Sequence, residues 1–270
     1  MKTRQWAIGI FGSLLVLVSA WQISTAARGL KIVRASSKGV PMVFVGPADA
    51  MDGSRPLVLV GHGFAGSETV MRGFAYTFAH AGYVVALWDF DGHGSNPNPL
   101  PADTLGGSLI PNAEAALEET QRLGLADTRR VAILGHSMGS GVALAFGQQH
   151  PETAATIAVS PVGTSVTLKL PHNLLLMAGS LEPNFSRNAE KRLAEAGGSG
   201  GDPAQGTGRK LVIIQNVEHV SILFSTKAHT TALEWLDATF GSQPGAPPPP
   251  TGVSSGLVSA SWEPCWHPPL

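Results

Sequence analysis

Cysteine and charge are both scarce in this chain. Its 270 residues include one cysteine, Cys265, so an intramolecular disulfide is excluded and a cysteine-based metal site is not expected. Charged residues make up 14% of the chain, against about 25% in an average globular protein. The net charge is −1 and no basic stripe is present. The composition therefore gives no reason to expect a nucleic-acid partner.

The first 28 residues differ from the rest of the chain. Lys2 and Arg4 precede an uncharged apolar run, residues 6–21, which is followed by small residues. This order predicts a secretory signal peptide. The 18 residues of Trp6–Ile23 approach the length of a membrane span, so an uncleaved anchor is the alternative, and a buried N-terminal helix is a third. The first two interpretations place the protein outside the cytoplasm, either exported or held at the membrane through residues 6–23.

The C-terminal 30 residues also form a separate segment. Residues 241–270 contain eight prolines and no apolar periodicity, a composition typical of disordered chain. The sequence therefore predicts three parts: a signal or anchor over 1–28, one catalytic domain over 29–240 and a disordered tail.

Apolar runs alternate with helical patterns through the central domain. From the third run onward the apolar residues are continuous rather than alternating, which is typical of strands buried on both faces of a parallel sheet. The alternation predicts a doubly wound α/β fold, in which ligands bind at the carboxyl ends of the strands. The predicted strands are 30–35, 40–45, 56–61, 83–90, 130–135, 156–160, 173–179 and 210–217, and the predicted helices are 67–81, 112–124, 138–149, 184–196 and 225–240.

The loop after the third strand, "GHGFAG" at residues 61–66, has two interpretations. It matches the glycine pattern of a dinucleotide-binding loop, and Asp89 follows at the end of the next strand. A reductase of that kind would leave Ser137 unexplained, and neither Tyr76 nor Tyr83 is followed four residues later by lysine. In the other interpretation this loop shapes an oxyanion hole, with His62 and Gly63 beside the substrate and the backbone N–H of Phe64 as a donor.

The loop after the fifth strand, "GHSMGSG" at residues 135–141, predicts a nucleophile. A strand that turns at once into a helix strains the residue at its apex and tolerates only small residues two positions away, here Gly135 and Gly139. The apex residue is Ser137, so the pattern predicts a nucleophile elbow. The N–H of Met138 would then be the second oxyanion donor, and the preceding His136 would lie beside the substrate.

A serine nucleophile needs a base, and the base needs an orienting acid. Since the triad of such folds runs Ser, acid, His along the chain, His219 after the eighth strand is the predicted base. Glu182 is the carboxylate that follows the seventh strand, although aspartate is the commoner residue in this role. Two alternatives remain. Glu182 could instead cap the helix that begins near 184, and Asp202, in a glycine-rich loop, is another carboxylate that could be the acid.

These motifs, in this order, resemble those of the α/β hydrolases over about residues 30–240. The resemblance implies a mostly parallel eight-stranded sheet with helices on both faces, and hydrolysis through an acyl-enzyme with neither metal nor organic cofactor. One departure is Asp91 in "DFDGHGSN", which stands where the family commonly has arginine. Only about a dozen residues, 161–172, separate the sixth and seventh strands. We therefore expect no large cap domain.

The sequence thus predicts a serine carboxylesterase that hydrolyses small, short-chain esters. On the same fold, a cutinase-like polyester hydrolase, a lipase or a serine peptidase is an alternative. In other classes, the alternatives are the NAD(P)-dependent reductase using residues 61–66 and a non-catalytic binding protein. The oligomeric state is not predicted.

Overall fold

The computed structural model describes residues 25–104 and 107–245, together with Trp6, residues 10–14 and Leu17. Leu30–Ala246 forms one compact unit. Within the described residues, no helix has the length and apolarity needed to cross a membrane. Most of the predicted signal or anchor segment, and residues 246–270 of the predicted tail, lie outside the described residues.

Eight strands form one sheet, and the fold class predicted from the sequence is confirmed. The strand order is β1-β2-β4-β3-β5-β6-β7-β8. β1 and β2 are antiparallel to their neighbours, whereas the pairs from β4 through β8 are parallel. The strands are β1 Leu30–Ser37, β2 Val40–Pro47, β3 Pro56–Gly61, β4 Val84–Trp88, β5 Asp127–His136, β6 Ala155–Val159, β7 Leu174–Gly179 and β8 Arg209–Ile214.

In the part of the chain that the structure describes, five helices cover the two faces of the sheet. They are α1 Arg72–His80, α2 Ile110–Leu123, α3 Met138–Gln149, α4 Pro183–Glu195 and α5 Thr226–Phe240. Alternate strand residues pack with α1 and α5 on one face and with α2, α3 and α4 on the other, as the two-residue period of a strand requires. The predicted helix over 67–81 begins as a short 3-10 turn, Glu68–Met71, before α1.

The parallel strands bring the predicted site residues to one edge of the sheet. β3, β5, β6, β7 and β8 are successive neighbours. The residues that follow their carboxyl ends are His62, Ser137, Ser160, Ser180 and Gln215. Residues 160–173, between β6 and β7, contain neither helix nor strand. Consequently no cap domain is inserted there, as expected.

The loop after β4 shows what takes the place of the missing arginine at position 91. The Oδ1 atom of Asp91 accepts hydrogen bonds from the side-chain amides of Asn96, Asn98 and Asn112 at 3.0, 3.0 and 3.1 Å. The amide oxygen of Asn112 in turn accepts from the backbone N–H of Asp91 at 2.9 Å. Three neutral donors on one carboxylate oxygen therefore hold this loop, which borders the site, against the start of α2.

Asp91→Ala is expected to destabilise the protein. The substitution removes the acceptor that three asparagine amides share, two of which, Asn96 and Asn112, are buried, and an unsatisfied buried polar group costs about 1–3 kcal/mol. Thermal unfolding of Asp91→Ala should therefore occur at a lower temperature than that of the wild type. Asp49→Ala is the matched control, since Asp49 is exposed. Equal melting temperatures for the two variants would contradict the role assigned to Asp91.

Candidate active site

Ser137 lies at the turn between β5 and α3 in a strained backbone conformation. Its φ is +52° and its ψ is −118°, a region that a residue other than glycine occupies at a cost of about 1–3 kcal/mol. The backbone N–H of Ser137 donates to the Val159 carbonyl at 2.9 Å, and its carbonyl accepts from Ser140 N–H at 2.8 Å. The turn is thus held by both the neighbouring strand and the new helix.

Two glycines make this turn sterically feasible. A Cβ atom at Gly135 would lie 1.9 Å from the carbonyl oxygen of Gly139, and one at Gly139 would lie 2.5 Å from the carbonyl oxygen of His62. Both distances are below any real Cβ contact with backbone. The glycine requirement of the "GHSMG" pattern therefore arises from direct backbone contact among β3, β5 and α3.

The structure brings together the three residues predicted as a triad. His219 Nε2 lies 2.9 Å from Ser137 Oγ, and His219 Nδ1 lies 2.9 Å from Glu182 Oε2. With a proton on Nδ1 facing the carboxylate, Nε2 is free to accept the serine proton. The arrangement can therefore move a proton from Ser137 to His219 while Glu182 holds the imidazole.

Glu182 is a buried carboxylate with three donors. Its Oε1 accepts from Ser160 Oγ at 2.7 Å and from the Gly179 backbone N–H at 2.5 Å, in addition to the His219 contact at Oε2. Burial acts to raise the pKa of Glu182, but the hydrogen bonds from His219, Gly179 and Ser160 outweigh it, and the pKa is lowered. The carboxylate is therefore ionised at neutral pH.

The carboxylates near His219 differ in their hydrogen-bond partners. Glu182 is the N-cap residue of α4, but its side chain makes no capping hydrogen bond. Glu218 accepts from the backbone N–H groups of Val220 and Ser221, and Asp202 caps a short 3-10 turn at Ala204. Neither of these two carboxylates has a hydrogen bond to His219 among the described contacts.

His62 is buried and supports the loop after β3. Its Nδ1 lies 2.7 Å from the Gly63 carbonyl oxygen, and its Nε2 accepts from the Phe90 N–H at 3.1 Å. With both ring nitrogens bonded within the protein and no side-chain exposure, His62 is not placed to contact a substrate. A Cβ atom at Gly63 would lie 3.2 Å from Ser137 Cβ, so this loop passes directly beside the nucleophile turn.

The Gly63–Phe64 peptide has a defined direction. Its carbonyl accepts from both the His62 ring and the Gly66 N–H. Since the C=O and N–H of a trans peptide point in opposite directions, the N–H of Phe64 points away from the His62 ring. Met138 is the first residue of α3, where helix N–H groups have no partner within the helix. These are the two backbone donors that the sequence analysis assigned to an oxyanion hole.

Asp89 does not offer the free carboxylate that a dinucleotide site would need. Its Oδ1 accepts from the Glu68 N–H at 2.7 Å, and its Oδ2 accepts from the Ser95 N–H and hydroxyl at 2.7 and 2.8 Å. Both oxygens are therefore occupied in holding the loops after β3 and β4. This geometry disfavours the reductase interpretation of residues 61–66.

Two aromatic rings contact the His219 ring. Phe185, in the first turn of α4, stacks on it with centroids 4.1 Å apart and an interplanar angle of 19°. The His136 ring is tilted by 40°, at a centroid distance of 4.7 Å. Sequence reasoning missed Phe185 and Ser160. No local pattern signals these two residues, because each reaches the site from a segment distant in the chain from its partner.

The chain matches a family model over more than half of its length. Residues 52–199 match the model described as serine aminopeptidase, S33. That segment includes the loop after β3, the turn at Ser137 and Glu182. The α/β-hydrolase resemblance drawn from the sequence is thereby confirmed.

Curated relatives match a smaller part of the chain. An uncharacterised protein of Mycobacterium tuberculosis is 33% identical over 105 residues, which is 39% of this chain and 36% of that protein. A thermostable monoacylglycerol lipase of Bacillus sp. (strain H-257) is 28% identical over 103 residues, which is 38% of this chain and 39% of the lipase. The matched part thus spans less than half the length of these relatives.

A bacterial heroin esterase has the same fold. Its structure covers 84% of this chain, and the chain covers 89% of the esterase, with a TM-score of 0.56 and 17% sequence identity. At this level of identity the likeness concerns the fold alone.

The buried histidines are expected to make the protein sensitive to acid. Burial, and secondarily the neighbouring His219, lowers the pKa of His136 to about 4, whereas an unfolded histidine titrates near about 6.5. Between these values the unfolded chain binds a proton that the folded protein does not, so stability falls as the pH drops from about 6.5 to 4. His136 should account for about 3 kcal/mol of that loss.

Denaturant unfolding of the wild type and of His136→Phe across pH 4–8 measures this contribution. The variant should lose less free energy of unfolding over this range than the wild type, whatever its stability at pH 8. Parallel curves would show that His136 does not titrate differently in the two states. Burial also lowers the pKa values of His62 and His229, so some acid sensitivity should remain in the variant.

Proposed function

The chain belongs to the serine aminopeptidase (S33) family of α/β hydrolases, and from this premise we propose that it is a serine carboxylesterase acting through an acyl-enzyme. The observation that carries the proposal is the continuous hydrogen-bonded chain Ser137–His219–Glu182, with both links at 2.9 Å. The nucleophile stands at a strained turn, and the base is oriented by an ionised carboxylate.

In the proposed reaction, Ser137 Oγ attacks the ester carbonyl while His219 Nε2 takes its proton. The tetrahedral intermediate collapses to an acyl-serine as His219 protonates the leaving alcohol. Water then attacks the acyl-serine, again losing its proton to His219, and the carboxylic acid departs as Ser137 regains its proton. Glu182 stays ionised and stabilises the imidazolium in both half-reactions.

The negative charge on the ester oxygen is stabilised by backbone donors in this proposal. The N–H groups of Phe64 and Met138 would supply this stabilisation, and losing one such donor typically costs about 10²–10³ in turnover. The direction of the Gly63–Phe64 peptide, held by His62, supports the role of Phe64. The interior position of His62 supports a part in shaping the loop rather than a substrate contact.

The rim of the site favours an open, apolar substrate path. Phe64, Leu181 and Val220 each lie at or next to a proposed site residue, and their exposures are 63%, 62% and 56%. With no cap between β6 and β7, long acyl chains would gain little enclosure from each added methylene. Short acyl esters are therefore the proposed substrates, and a lipase is the second candidate because the rim is apolar.

The exported location expected from residues 1–28 belongs to the same proposal. A Lys2–Arg4 charged start followed by an apolar run is consistent with export or with anchoring at the membrane. A secreted or anchored esterase would meet its substrates outside the cytoplasm.

A panel of p-nitrophenyl esters tests the function directly. The full-length protein should hydrolyse acetate and butyrate esters faster than palmitate esters, and Ser137→Ala should be inactive on all of them while remaining folded. An activity peak at palmitate would favour the lipase alternative. Faster hydrolysis of aminoacyl p-nitroanilides than of any ester would favour a peptidase, and no Ser137-dependent turnover at all would remove the proposal.

Glu182→Gln tests the assignment of the acid. The amide keeps the size of the side chain but removes the charge, so the imidazolium loses its stabilising partner. By comparison with other triad acids changed to amides, kcat should fall by up to about four orders of magnitude with little change in KM. Glu190→Gln, an exposed glutamate on α4, is the control. Near-normal kcat in Glu182→Gln would leave the proposed acid unassigned.

A further inference from the structure

His136 has a hydrogen bond that its position in the sequence did not suggest. The sequence analysis placed this residue beside the substrate, because it precedes the nucleophile. In the structure the ring is buried, with 5% exposure, and its Nε2 lies 2.9 Å from the backbone carbonyl oxygen of His219. Because a carbonyl only accepts, the ring must carry its proton on Nε2 and donate it.

We propose that His136 is a positioning residue, which holds the loop carrying His219 in register with the nucleophile turn through this hydrogen bond. The inference rests on the proposed function, since it assigns to His136 the task of placing the general base. The two residues are 83 positions apart in the chain, so the bond ties the end of β5 to the loop after β8.

The local contacts of the His219 loop explain why this hydrogen bond between the two segments matters. Glu218 closes the loop on itself by accepting from the N–H groups of Val220 and Ser221, and these bonds fix the shape of the loop without attaching it to the sheet. Leu181 N–H donates to the Val217 carbonyl at 3.1 Å, which attaches the start of the loop to the segment of Glu182. The bond from His136 attaches the backbone of the base itself to the strand that ends at Ser137.

The same ring also touches the oxyanion loop. A Cβ atom at Gly63 would lie 2.9 Å from His136 Nδ1, so the Gly63 backbone rests against the imidazole. One side chain therefore contacts the loop after β3 and the loop after β8, and its own backbone adjoins Ser137. Displacement of a reacting group by about 1 Å can cost about 100-fold in rate, which is the size of effect that a loss of this contact should produce.

The environment suits a neutral donor. His219 becomes positively charged when it takes the serine proton, and a second positive charge 4.7 Å away, the distance between the ring centroids, would oppose that step. Burial keeps His136 uncharged at neutral pH. A neutral imidazole donates to the His219 carbonyl without adding a competing charge.

Two substitutions separate the hydrogen bond from the packing. His136→Phe keeps a ring of similar size but removes the donor, whereas His136→Gln keeps an N–H donor at a similar reach and removes the ring. We expect kcat for p-nitrophenyl butyrate to fall about 10- to 100-fold in His136→Phe, with KM within about twofold of wild type, and the Gln variant to recover most of the loss. His172→Phe is the control, because His172 Nδ1 also bonds a backbone carbonyl, that of Gly206 at 3.2 Å, just before β7 and away from the edge that carries Ser137.

Other outcomes would overturn the inference. A raised KM with unchanged kcat in both variants would restore the substrate-contact role. Unchanged kcat and KM in a folded His136→Phe would show that the bond is dispensable, and a Gln variant no better than Phe would assign the effect to packing.

Two measurements do not depend on ester turnover. The rate at which a fluorophosphonate labels Ser137 should fall in His136→Phe and recover in His136→Gln, and absence of labelling in the wild type would count against the proposed function itself. Imidazole ¹⁵N NMR of the wild type should show His136 neutral and protonated on Nε2 at pH 7. A ring protonated on Nδ1, or on both nitrogens, would contradict the inference even if the Phe variant failed to fold.

Discussion

The structure of the site depends on one steric constraint, the direct backbone contact between β5 and α3 at Gly135 and Gly139. These glycines let the helix begin immediately after the strand, with no intervening loop, so that Ser137 is left at the apex with a φ of +52°. The strain costs about 1–3 kcal/mol and is held by hydrogen bonds to Val159 and Ser140. The strained turn presents the Ser137 hydroxyl at the sheet edge, toward the loops of the neighbouring strands. Any residue larger than glycine at either position would push α3 away and lower that apex.

The buried carboxylate of Glu182 is stabilised by donors that lie where neighbouring strands end. A carboxylate at 5% exposure would tend to take up a proton, but donors from three different segments prevent this: Ser160 after β6, the Gly179 backbone at the end of β7, and His219 after β8. The sixth strand is followed by a serine, Ser160, rather than by an acid, and the serine hydroxyl donates to the acid that follows the seventh strand. The extra methylene of glutamate over aspartate is absorbed in the turn between β7 and α4, where the residue is also the N-cap by its backbone. The side chain bends back to the sheet edge instead of capping the helix.

Much of the fold could be predicted because it depends on local patterns. Buried parallel strands require continuous apolar runs, and the predicted span of β3 matches the observed Pro56–Gly61 while the helix predicted over 138–149 matches α3. The proposed triad residues could be selected because each follows a strand that ends at the same edge. The contacts of Ser160, Phe185 and His136 could not be predicted, because they form between segments that are 22 to 83 residues apart in the chain. The partners of Asp91 could not be predicted for the same reason, because nothing in the sequence around Asn96, Asn98 and Asn112 indicates that the folded chain brings their amides to one oxygen.

The site also shows how hydrogen bonds between loops can replace a cap domain as a source of rigidity. A large insertion after β6 would bury the loops at the sheet edge, whereas here residues 160–173 are short and irregular. Rigidity comes instead from side chains that cross between loops at their base: His62 to Phe90, Asp89 to Glu68 and Ser95, and His136 to His219. The three bridging side chains, His62, Asp89 and His136, have exposures of 0%, 3% and 5%, beneath a rim whose apolar side chains stay exposed. Because hydrogen bonds are stronger away from water, the buried parts of these loops can be held in place while the entrance to the site above them remains open. An open entrance above a fixed base suits the esterase proposed here, which would admit varied esters while placing one carbonyl carbon accurately against Ser137.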